Sequence, residues 1–442
     1  MGRRRALKTP PVTLQGTIES FSHDGRGVAR VEGKTVFVRD ALPGEEVSFT
    51  VTRSRKNYDE ARLEAVLEAS PQRVDPRCAH FGTCGGCSLQ HLDLDAQIEF
   101  KEQGLRDALT HIGGVEPEEW AAPLRSEPWG YRRKARLGAK FVRRHGRVFV
   151  GFRERGSGFL ADVRECTVLH PKVGRHLAAL GEFLTGLSIR EQVPQVEMAM
   201  GDDTCVMVFR LLAPLAAGER EALKTFCEQR NWTGYLQPGG PDSLEPLSPD
   251  AAPLLYSLRE EDLAFEFRPT DFTQVNLEVN RRMVAQAMEW LAPQRGDRIL
   301  DLFCGLGNFT LPLARRCEEA IGVEGDAGLV ARARENAAAN RIDNARFFTE
   351  NLYEEAQPAA WLKGRYNAVL LDPPRTGAME ILGRIKDLGA GRVLYVSCYP
   401  GTLARDAAVL VGEQGYRLVR AGVMDMFPHT SHVESMALFH KD

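Results

Sequence analysis

The feature that most constrains the fold is an alternation of apolar segments with helical stretches from about residue 270 onward. The apolar segments read RILDLF, AIGVEG, ARFFTE, NAVLLD, RVLYVS, YRLVRAG and SMALFH, and helices such as LVARARENAAAN lie between the early ones. Such alternation predicts an α/β fold, with a mostly parallel sheet and helices on both faces. Ligands of such sheets bind beyond the carboxyl ends of the strands. The polar residues at those ends are therefore the first candidates for a functional site.

The first 70 residues show a different pattern, in which short segments alternate at strand period. The segments TLQGTIESF, GVARVEGKTVFVRD, EEVSFTVTRSRKN and EARLEAVLEA are separated by turn residues. This spacing predicts a small OB-type β-barrel, a common platform for single-stranded RNA. The pattern from there to about residue 265 is mixed. We therefore expect three domains, 1–70, 71–265 and 266–442, which suits a chain of 442 residues.

A net charge of −3 hides a basic segment, which we define as residues 125–155. This segment holds eleven Lys or Arg against two Glu, with aromatic residues between them, so its own charge is +9. It alternates at strand period, which predicts strands with one basic face. Two interpretations remain open at this point: a solvated strand face, or a surface that binds phosphates.

The interpretation of the cysteines depends on the cellular compartment of the protein. The start MGRRRALKTPPV is basic, but no apolar run is long enough for a signal peptide or a membrane span. We therefore expect a cytoplasmic protein, in which nine cysteines do not form a disulfide framework. Three of them lie together in CAHFGTCGGC, which predicts a metal site or catalytic thiols. The spacing leaves structural zinc and an iron–sulfur cluster both open.

The first strand end, in ILDLFCGLGNF, predicts a cofactor loop. Gly305 and Gly307 allow the backbone to pass close to a ligand before a helix that starts near Asn308. The third glycine of a dinucleotide fingerprint is missing, so an adenosine cofactor without a pyrophosphate fits better, and S-adenosylmethionine is one. Glu324 ends the second strand, 23 residues after Asp301, where a carboxylate can bind both ribose hydroxyls. The alternative is a glutamate that caps the next helix.

The later strand ends carry a second set of polar residues. Asn351 is placed for the adenine side, and Asp372, followed by two stiffening prolines, points into the crevice at the reacting end. Cys398 precedes a helix that starts near Gly401, and we expect the dipole of that helix to favour the thiolate. Glu434 lies close to the last strand, at a position where an apolar residue is expected.

A thiolate, a carboxylate and a methyl donor together suit methyl transfer to carbon 5 of uracil. That carbon becomes nucleophilic only after a thiolate has added to carbon 6, and a base must then remove its proton. Cys398 fits the role of nucleophile and Glu434 that of base. A target base inside structured RNA must be flipped out to reach them.

The segments DLFCGLGNF, DPPR, SCYP and HVES resemble the motifs of the S-adenosylmethionine-dependent RNA uracil-C5 methyltransferase family. The match runs the whole length of the chain. Residues 12 to 69 look like a TRAM domain, which is an RNA-binding OB-type barrel. Within the family, the chain is most similar to members that act on 23S ribosomal RNA and carry both a TRAM domain and a cysteine cluster. The one visible departure is Tyr399, where the family pattern predicts Asn.

The resemblance implies a Rossmann-like catalytic domain, S-adenosylmethionine as cofactor and the following residues. The implied cofactor contacts are Gln274, Phe303, Asn308, Glu324, Asn351 and Asp372, and the implied catalytic residues are Cys398 and Glu434. A [4Fe-4S] cluster in the central domain would be held by Cys78, Cys84, Cys87 and Cys166. We expect this cluster to be structural, because four thiolate ligands leave no iron open for the cofactor.

Three partner expectations complete the interpretation. We expect a monomer that acts on a uridine of 23S ribosomal RNA, with neither DNA nor a membrane as partner. One rival is a transfer-RNA uracil-C5 methyltransferase, against which the cysteine cluster argues. The other rival is a non-catalytic iron–sulfur RNA-binding protein, against which the intact Cys398 and Glu434 argue.

Overall fold

The computed structural model describes residues 13–354 and 360–441, so the basic start of the chain lies outside the described residues. The described chain forms two compact units. The first holds the residues up to Lys101, Arg153–Ala161 and Phe427–His432, and the second holds Glu102–Phe152, Asp162–Met426 and the residues from Val433 onward. The three-domain division rests on sequence pattern and stays a prediction.

The N-terminal sheet belongs to the first unit. Its strands are β1 Thr13–Thr17, β2 Ser20–Phe21, β3 Gly27–Val31, β4 Lys34–Arg39, β5 Glu46–Ser54 and β6 Tyr58–Glu68. Among the described residues they lie in the order β1-β5-β6-β4-β3-β2. Alternate side chains point inward, so Val36 and Val38 of β4 are buried together with Phe49 of β5. The strands predicted for this part of the chain are confirmed.

A buried ion pair ties this sheet to the segment that follows it. Glu45 lies in the turn between β4 and β5 and is fully buried. Its carboxylate accepts hydrogen bonds from the backbone N–H of Leu42 at 2.8 Å and of Ser70 at 3.3 Å. Arg73 donates to both oxygens, at 2.5 Å from Nε and 2.8 Å from Nη2. Four donors therefore depend on one acceptor.

Replacing Glu45 with alanine should lower the opening free energy of the first unit by about 2–3 kcal/mol, because two backbone N–H groups and a half-buried guanidinium lose their acceptor. Hydrogen exchange of peptides from β4 and β5 measures this. The neighbouring Glu46 is exposed, so Glu46→Ala is a matched control that should cost less than about 0.5 kcal/mol. Equal loss of protection in the two variants would contradict this role of Glu45.

The central sheet belongs to the second unit. The elements from residue 94 to residue 267 are α1 Leu94–Ala108, β7 Glu119–Trp120, β8 Lys134–Val142, β9 Arg147–Gly151, α2 Pro171–Gly174, α3 Leu177–Gly186, β10 Gln195–Met200, β11 Cys205–Arg210, α4 Ala217–Glu228, β12 Thr233–Gln237, β13 Glu245–Pro246, β14 Leu254–Leu258 and β15 Leu263–Phe267. The described strands of the central sheet lie in the order β13-β12-β11-β10-β8-β9. The strands β14 and β15 pair with each other as an antiparallel hairpin.

The basic segment forms β8 and β9, as its strand-period alternation predicts. In β8 the side chains of Ala135, Leu137 and Ala139 are buried. The intervening Arg136 and Lys140 are exposed, so this strand has one basic face.

Two other cations of the basic segment, Lys134 and Arg133, donate hydrogen bonds within the second unit. The Nζ of Lys134 donates to the carbonyl of Pro269 at 2.9 Å and also to that of Asp271, and Arg133 donates to the carbonyl of Gly201 at 2.7 Å. Burial lowers the pKa of Lys134 to about 8 and also lowers the pKa of Arg133. Lys134 therefore connects the start of β8 with residues 269–271.

The C-terminal sheet, defined as β16–β22 with β7, contains all seven strands predicted from the sequence. Its elements are α5 Leu277–Leu291, β16 Arg298–Leu302, α6 Thr310–Ala314, β17 Glu319–Glu324, α7 Ala327–Ala339, β18 Ala345–Thr349, β19 Ala368–Leu371, α8 Met379–Leu388, β20 Arg392–Ser397, α9 Pro400–Gly412, β21 Arg417–Met424 and β22 Glu434–His440. In the described part of the chain the strand order is β18-β17-β16-β19-β20-β22-β21-β7.

This strand order creates a crevice at one edge of the C-terminal sheet. The strands β16 to β20 are parallel, and the order reverses between β16 and β19, which makes a topological switch point beyond their carboxyl ends. The last strand, β22, runs antiparallel to β20 and β21, so its first residue lies at that same edge. No helix within residues 13–354 and 360–441 is both long and apolar enough to span a membrane.

Candidate active site

Five of the predicted site residues lie at the strand ends that border the crevice. Phe303 follows β16, Glu324 ends β17, Asn351 follows β18, Asp372 follows β19 and Cys398 follows β20. Because these strands are parallel neighbours, their carboxyl ends meet at one edge of the C-terminal sheet. The fold therefore brings together positions that are almost 100 residues apart in the chain.

Three carboxylates lie close together at this edge, and two of them have raised pKa values. Burial raises the pKa of Asp301 to about 8, and the charges of Asp372 and Glu324 add to the rise. Burial and the charge of Glu324 raise the pKa of Asp372 to about 7. Because Asp301 is mostly protonated at neutral pH, the negative potential that favours a cationic ligand comes from the other acids of the crevice.

Only one of the two carboxylate oxygens of Asp301 has a hydrogen-bond partner among the described residues. Its Oδ2 accepts a hydrogen bond from the hydroxyl of Thr310 at 2.5 Å, which ties β16 to the start of α6. Its Oδ1 is buried and has no hydrogen-bond partner among the described residues. A buried polar atom without a partner is costly and is typical of functional sites.

Glu324 is fixed by the loop that the glycines form. Its carboxylate accepts hydrogen bonds from the backbone N–H of Gly305 at 3.1 Å, of Gly325 at 2.7 Å and of Asp326 at 3.1 Å. Gly305 and Gly307 have φ angles of 56° and 93°, a region that favours glycine. The predicted need for glycine in this loop is confirmed.

Phe303 adopts a strained backbone at the start of the same loop. Its φ angle is 66°, which is rare for a bulky side chain and is found mainly where a functional site requires it. Its ring lies 5.7 Å from the ring of Tyr353. Tyr353 was not predicted, since nothing in its local sequence marks it. Its hydroxyl donates to the carbonyl of Gly377 at 3.2 Å and so ties the Phe303 loop to the turn after Asp372.

The three amide residues of the predicted set lie in different surroundings. Asn308 accepts hydrogen bonds from Tyr256 at 2.9 Å and from Asn280 at 3.1 Å, so its oxygen is used inside the protein. Asn351 is exposed and accepts a bond from the backbone of Tyr353 at 3.1 Å. Gln274 is half-buried in the extended segment before α5. The hydrogen-bonding groups of Gln274 are thus the most available of the three.

Cys398 and Glu434 are brought together by strand register. Ser397 of β20 pairs with Ser435 of β22, so each candidate catalytic residue lies one position beyond the last pair of this ladder. Residues opposite each other in an antiparallel ladder have side chains on the same face, with Cβ atoms about 4.5–5.5 Å apart. The charge of Glu434 raises the pKa of Cys398, as does that of Asp372, which places all three in one electrostatic environment.

The expectation that helix α9 favours the Cys398 thiolate is wrong. Burial raises the pKa of the thiol to about 11, and the charges of Glu434 and Asp372 raise it further than the nearby Arg375 lowers it. The dipole of a helix end is a weak effect, of about 0.3–1 kcal/mol, and desolvation with two acids outweighs it. The thiol is protonated at neutral pH in the unliganded protein.

A buried carboxylate on α9, which sequence analysis missed, fixes the turn that carries Asp372. Asp406 is fully buried and accepts hydrogen bonds from the hydroxyl of Tyr395 at 2.6 Å and from the backbone N–H of Ala378 at 2.7 Å. Because α9 also begins just after Cys398, Asp406 connects the candidate nucleophile with the turn after β19. In the sequence, the only indication of this role is that an aspartate lies on the inner, apolar face of the α9 helix.

The three clustered cysteines lie on one loop of the first unit. Arg155 donates to the carbonyl of Cys84 at 3.2 Å and also to that of Cys87. The backbone N–H of Gly86 points at the sulfur of Cys84 at 3.4 Å. Burial raises the pKa of Cys84, and the thiol of Cys78 adds to this effect. Two of these thiols are thus close enough to affect each other.

No group of three or more Cys, His, Asp or Glu is arranged to hold a metal ion in the part of the chain that the structure describes. The donor set nevertheless fits the chemistry of a cluster, because an N–H bond to sulfur and a neighbouring guanidinium both stabilise thiolates. His91, beside the same loop, is buried, and neither of its ring nitrogens has a partner among the described residues. Cys166 is buried in the second unit. The cluster stays a prediction.

Comparisons with known proteins identify the family. A family model described as tRNA (Uracil-5-)-methyltransferase matches residues 254–442, and the TRAM domain model matches residues 13–63. A 23S rRNA (uracil(1939)-C(5))-methyltransferase of Alkalilimnicola ehrlichii is 51% identical over 443 residues, which cover 100% of this chain and 99% of the relative. The chain belongs to the S-adenosylmethionine-dependent RNA uracil-C5 methyltransferase family.

Further relatives agree with this assignment. A protein of the same description from Methylococcus capsulatus is 50% identical to this methyltransferase over 441 residues, with 100% and 99% of the two chains covered. The solved structure of Pyrococcus abyssi tRNA (uracil-54, C5)-methyltransferase in complex with S-adenosyl-L-homocysteine is 25% identical, with a TM-score of 0.73, and covers 96% of this chain and 99% of that one. The predictions of a methyltransferase fold, an N-terminal TRAM domain and S-adenosylmethionine as methyl donor are confirmed.

The raised pKa of Cys398 predicts that the alkylation rate of this thiol in the methyltransferase keeps rising to high pH. The rate at Cys398 should rise about tenfold per pH unit from about pH 8 to about pH 10 without levelling, because only the thiolate reacts. Peptide mass spectrometry after iodoacetamide pulses measures it. Glu434→Gln removes a negative charge, so it should move the midpoint to lower pH. A plateau near the ordinary value of about 8.5 would contradict the raised pKa.

Proposed function

We propose that this enzyme transfers a methyl group from S-adenosylmethionine to carbon 5 of one uridine in 23S ribosomal RNA. The observation that carries the proposal is the strand register that sets Cys398 beside Glu434 at the edge of an acidic crevice. The two relatives of about 50% identity, whose names specify this reaction, support the choice of RNA.

The crevice suits the donor because of its charge. S-adenosylmethionine carries a sulfonium cation, and the product loses that charge when the methyl group leaves. Glu324 and Asp372 therefore favour the donor over the product. Glu324 would bind the ribose hydroxyls, and Asp372 would lie near the reacting end. The remaining proposed contacts are Gln274, Phe303, Asn308 and Asn351.

The reaction uses Cys398 and Glu434 in sequence. The Cys398 sulfur adds to carbon 6 of the uracil while its proton leaves to a base, and the electron pair of the C5–C6 double bond moves into an enolate. Carbon 5 then attacks the methyl carbon, and the C–S bond of the sulfonium breaks. Glu434 takes the carbon 5 proton, the double bond re-forms and the thiolate leaves. A protonated resting thiol means that attack needs a proton acceptor. Asp372, the carboxylate other than Glu434 whose charge acts on the thiol, would take this proton and leave Glu434 ionised for the later step.

The RNA would be bound by parts of the chain outside the crevice. We propose that the N-terminal sheet closes as an OB-type barrel, and that it and the exposed basic face of β8 contact the RNA backbone. The target uridine must leave its stack to reach Cys398. We also propose a cytoplasmic monomer with the domains 1–70, 71–265 and 266–442.

We further propose that Cys78, Cys84, Cys87 and Cys166 hold a [4Fe-4S] cluster. Such a cluster would supply a rigid cross-link and no step of the reaction. Arg155 would order the loop by binding the carbonyls of Cys84 and Cys87.

Protein purified without oxygen should contain about four iron and about four sulfide per chain. Cys84→Ser should lose most of this iron, whereas Cys317→Ala should keep it, because Cys317 is buried after α6 and lies outside the proposed ligand set. Elemental analysis and acid-labile sulfide assays measure both. One zinc per chain in place of iron would contradict the cluster.

Two substitutions separate the catalytic roles. Cys398→Ala should abolish methyl transfer and leave S-adenosylmethionine binding nearly unchanged, because the thiol acts on uracil. Glu434→Gln should stop after methyl transfer, and the protein should stay joined to methylated RNA as a labelled band on a denaturing gel. Fluorouracil-substituted RNA should trap the unaltered enzyme in the same way.

The same experiment includes a control variant and tests the alternative substrate, transfer RNA. Glu413→Gln, which changes an exposed glutamate beyond α9, should release its product normally. Turnover by Cys398→Ala, or no adduct with fluorouracil RNA, would contradict the nucleophile. Methylation of transfer RNA in preference to ribosomal RNA would favour the rival substrate, for which the Pyrococcus abyssi structure is the supporting likeness.

A further inference from the structure

A cavity of about 600 Å³ lies in the second unit, apart from the residues of the crevice. This volume is within the range of about 300–1,000 Å³ that small ligands occupy. Four arginines line it, Arg125, Arg133, Arg281 and Arg282, together with the aromatic ring of Trp129. Only two acidic residues, both exposed, are among its lining residues, so the described wall has a net charge of +2. Guanidinium groups and an aromatic ring are the side chains that bind phosphates and stack on bases.

The positive charge of the cavity affects the groups within it. Burial lowers the pKa of His170 to about 4, and the charges of Arg133 and Lys172 lower it further. Burial also lowers the pKa of Arg133, and Arg281 adds to this effect although Asp202 opposes it. Asp202 pairs with Arg281 at 2.8 Å and compensates part of the positive charge, whereas the lining residues alone sum to +2. An anionic ligand would neutralise this charge.

The floor of the cavity is rigid. Asn276 is buried, and its Oδ1 accepts a hydrogen bond from the N–H of Val279 at 3.3 Å, which caps α5. Its amide donates to the hydroxyl of Ser126 at 2.8 Å. The N-terminus of α5, a helix of 15 residues, thus opens into the cavity and adds a partial positive charge there.

The cavity is also connected to the cofactor side of the crevice. The backbone N–H of Arg133 donates to the carbonyl of Val275 at 2.8 Å, directly after Gln274. On the next turn of α5, Asn280 bonds to Asn308 of the cofactor loop. Asn276 of the cavity floor is only two positions after Gln274, a reach of at most about 7 Å.

We propose that this cavity binds an unpaired nucleotide of the RNA substrate near the target uridine, with its phosphate against Arg125 and Arg282 and its base against Trp129. The inference rests on the proposed function and adds a second contact point for the RNA. Arg282 suits the phosphate because it is half-exposed and uses only some of its five N–H groups, on Glu278 and on the carbonyl of Arg125. A nucleotide held here would fix the RNA strand while the target base is turned out.

The first test compares two charge reversals in the full-length, cluster-loaded protein. Arg220 of α4 matches Arg282 because each is about half-exposed and binds one exposed glutamate and one backbone carbonyl. Arg282→Glu should weaken binding of a target-containing 23S RNA fragment about tenfold and reduce the salt slope by about 1. Arg220→Glu should change neither. S-adenosylmethionine affinity, unchanged in both, checks the fold.

The second test identifies the base contact. RNA fragments with single abasic sites on either side of the target are compared for the unaltered enzyme and for Trp129→Ala. At one position the abasic site should weaken binding to the unaltered enzyme and should cause no further loss in Trp129→Ala, because both changes remove the same contact. Trp129→Phe should keep part of the effect.

The outcomes separate the two proposals. If Arg282→Glu and Arg220→Glu bind RNA equally, or if every abasic site is additive with Trp129→Ala, the cavity assignment is wrong. If the unaltered enzyme binds the fragment but does not methylate it, the proposed function fails, whereas a difference between the two arginine variants would still support the cavity as an RNA site.

Discussion

The pairing of β22 between β20 and β21 is the constraint on which the proposed catalytic pair, Cys398 and Glu434, depends. Met424 of β21 pairs with Glu434, and Ser397 of β20 pairs with the next residue, Ser435, so the start of β22 is held by one strand on each side. A slip of one residue would turn Glu434 to the other face of the C-terminal sheet. Residues 435 to 439 are all buried, so such a slip would exchange side chains between two packed faces of the sheet.

Electrostatics at the crevice follow from the same strand order. Asp301, Glu324 and Asp372 come from three adjacent strands. Burial raises the pKa values of the two aspartates, and the charge of Glu324 adds to both shifts. Buried carboxylates of this kind cost free energy, and under the proposed function a cationic donor would offset that cost. Cys398 shares this environment, which explains why its thiol is protonated at rest.

The sequence predicted the elements well because the C-terminal strands are apolar and are separated by helices with clear amphipathic patterns. It also placed Cys398 and Glu434 at strand ends. It did not predict the protonation of Cys398, because the charges of Glu434 and Asp372 reach the thiol only through the folded sheet. Nor could a local pattern show that Lys134 binds two carbonyls more than 130 residues away.

Long-range contacts explain why the sequence did not predict the role of Asp406 or the pairing of β7. Asp406 acts through Tyr395 and Ala378, which come from other elements, so its role is visible only when α9 lies on the C-terminal sheet. The strand β7 joins the edge of that sheet from residue 119, far from the other strands in the chain. Such pairings depend on tertiary packing, which overrides local propensity.

The central claim is that Glu434 removes the carbon 5 proton after the methyl group has arrived. The most direct measurement uses 23S ribosomal RNA with tritium at carbon 5 of uridine and S-adenosylmethionine with a carbon-14 methyl group. The unaltered enzyme should release one tritium for each methyl group transferred. Glu434→Gln should still incorporate the methyl label while releasing almost no tritium. Equal release of tritium and incorporation of methyl label by Glu434→Gln would show that another group is the base.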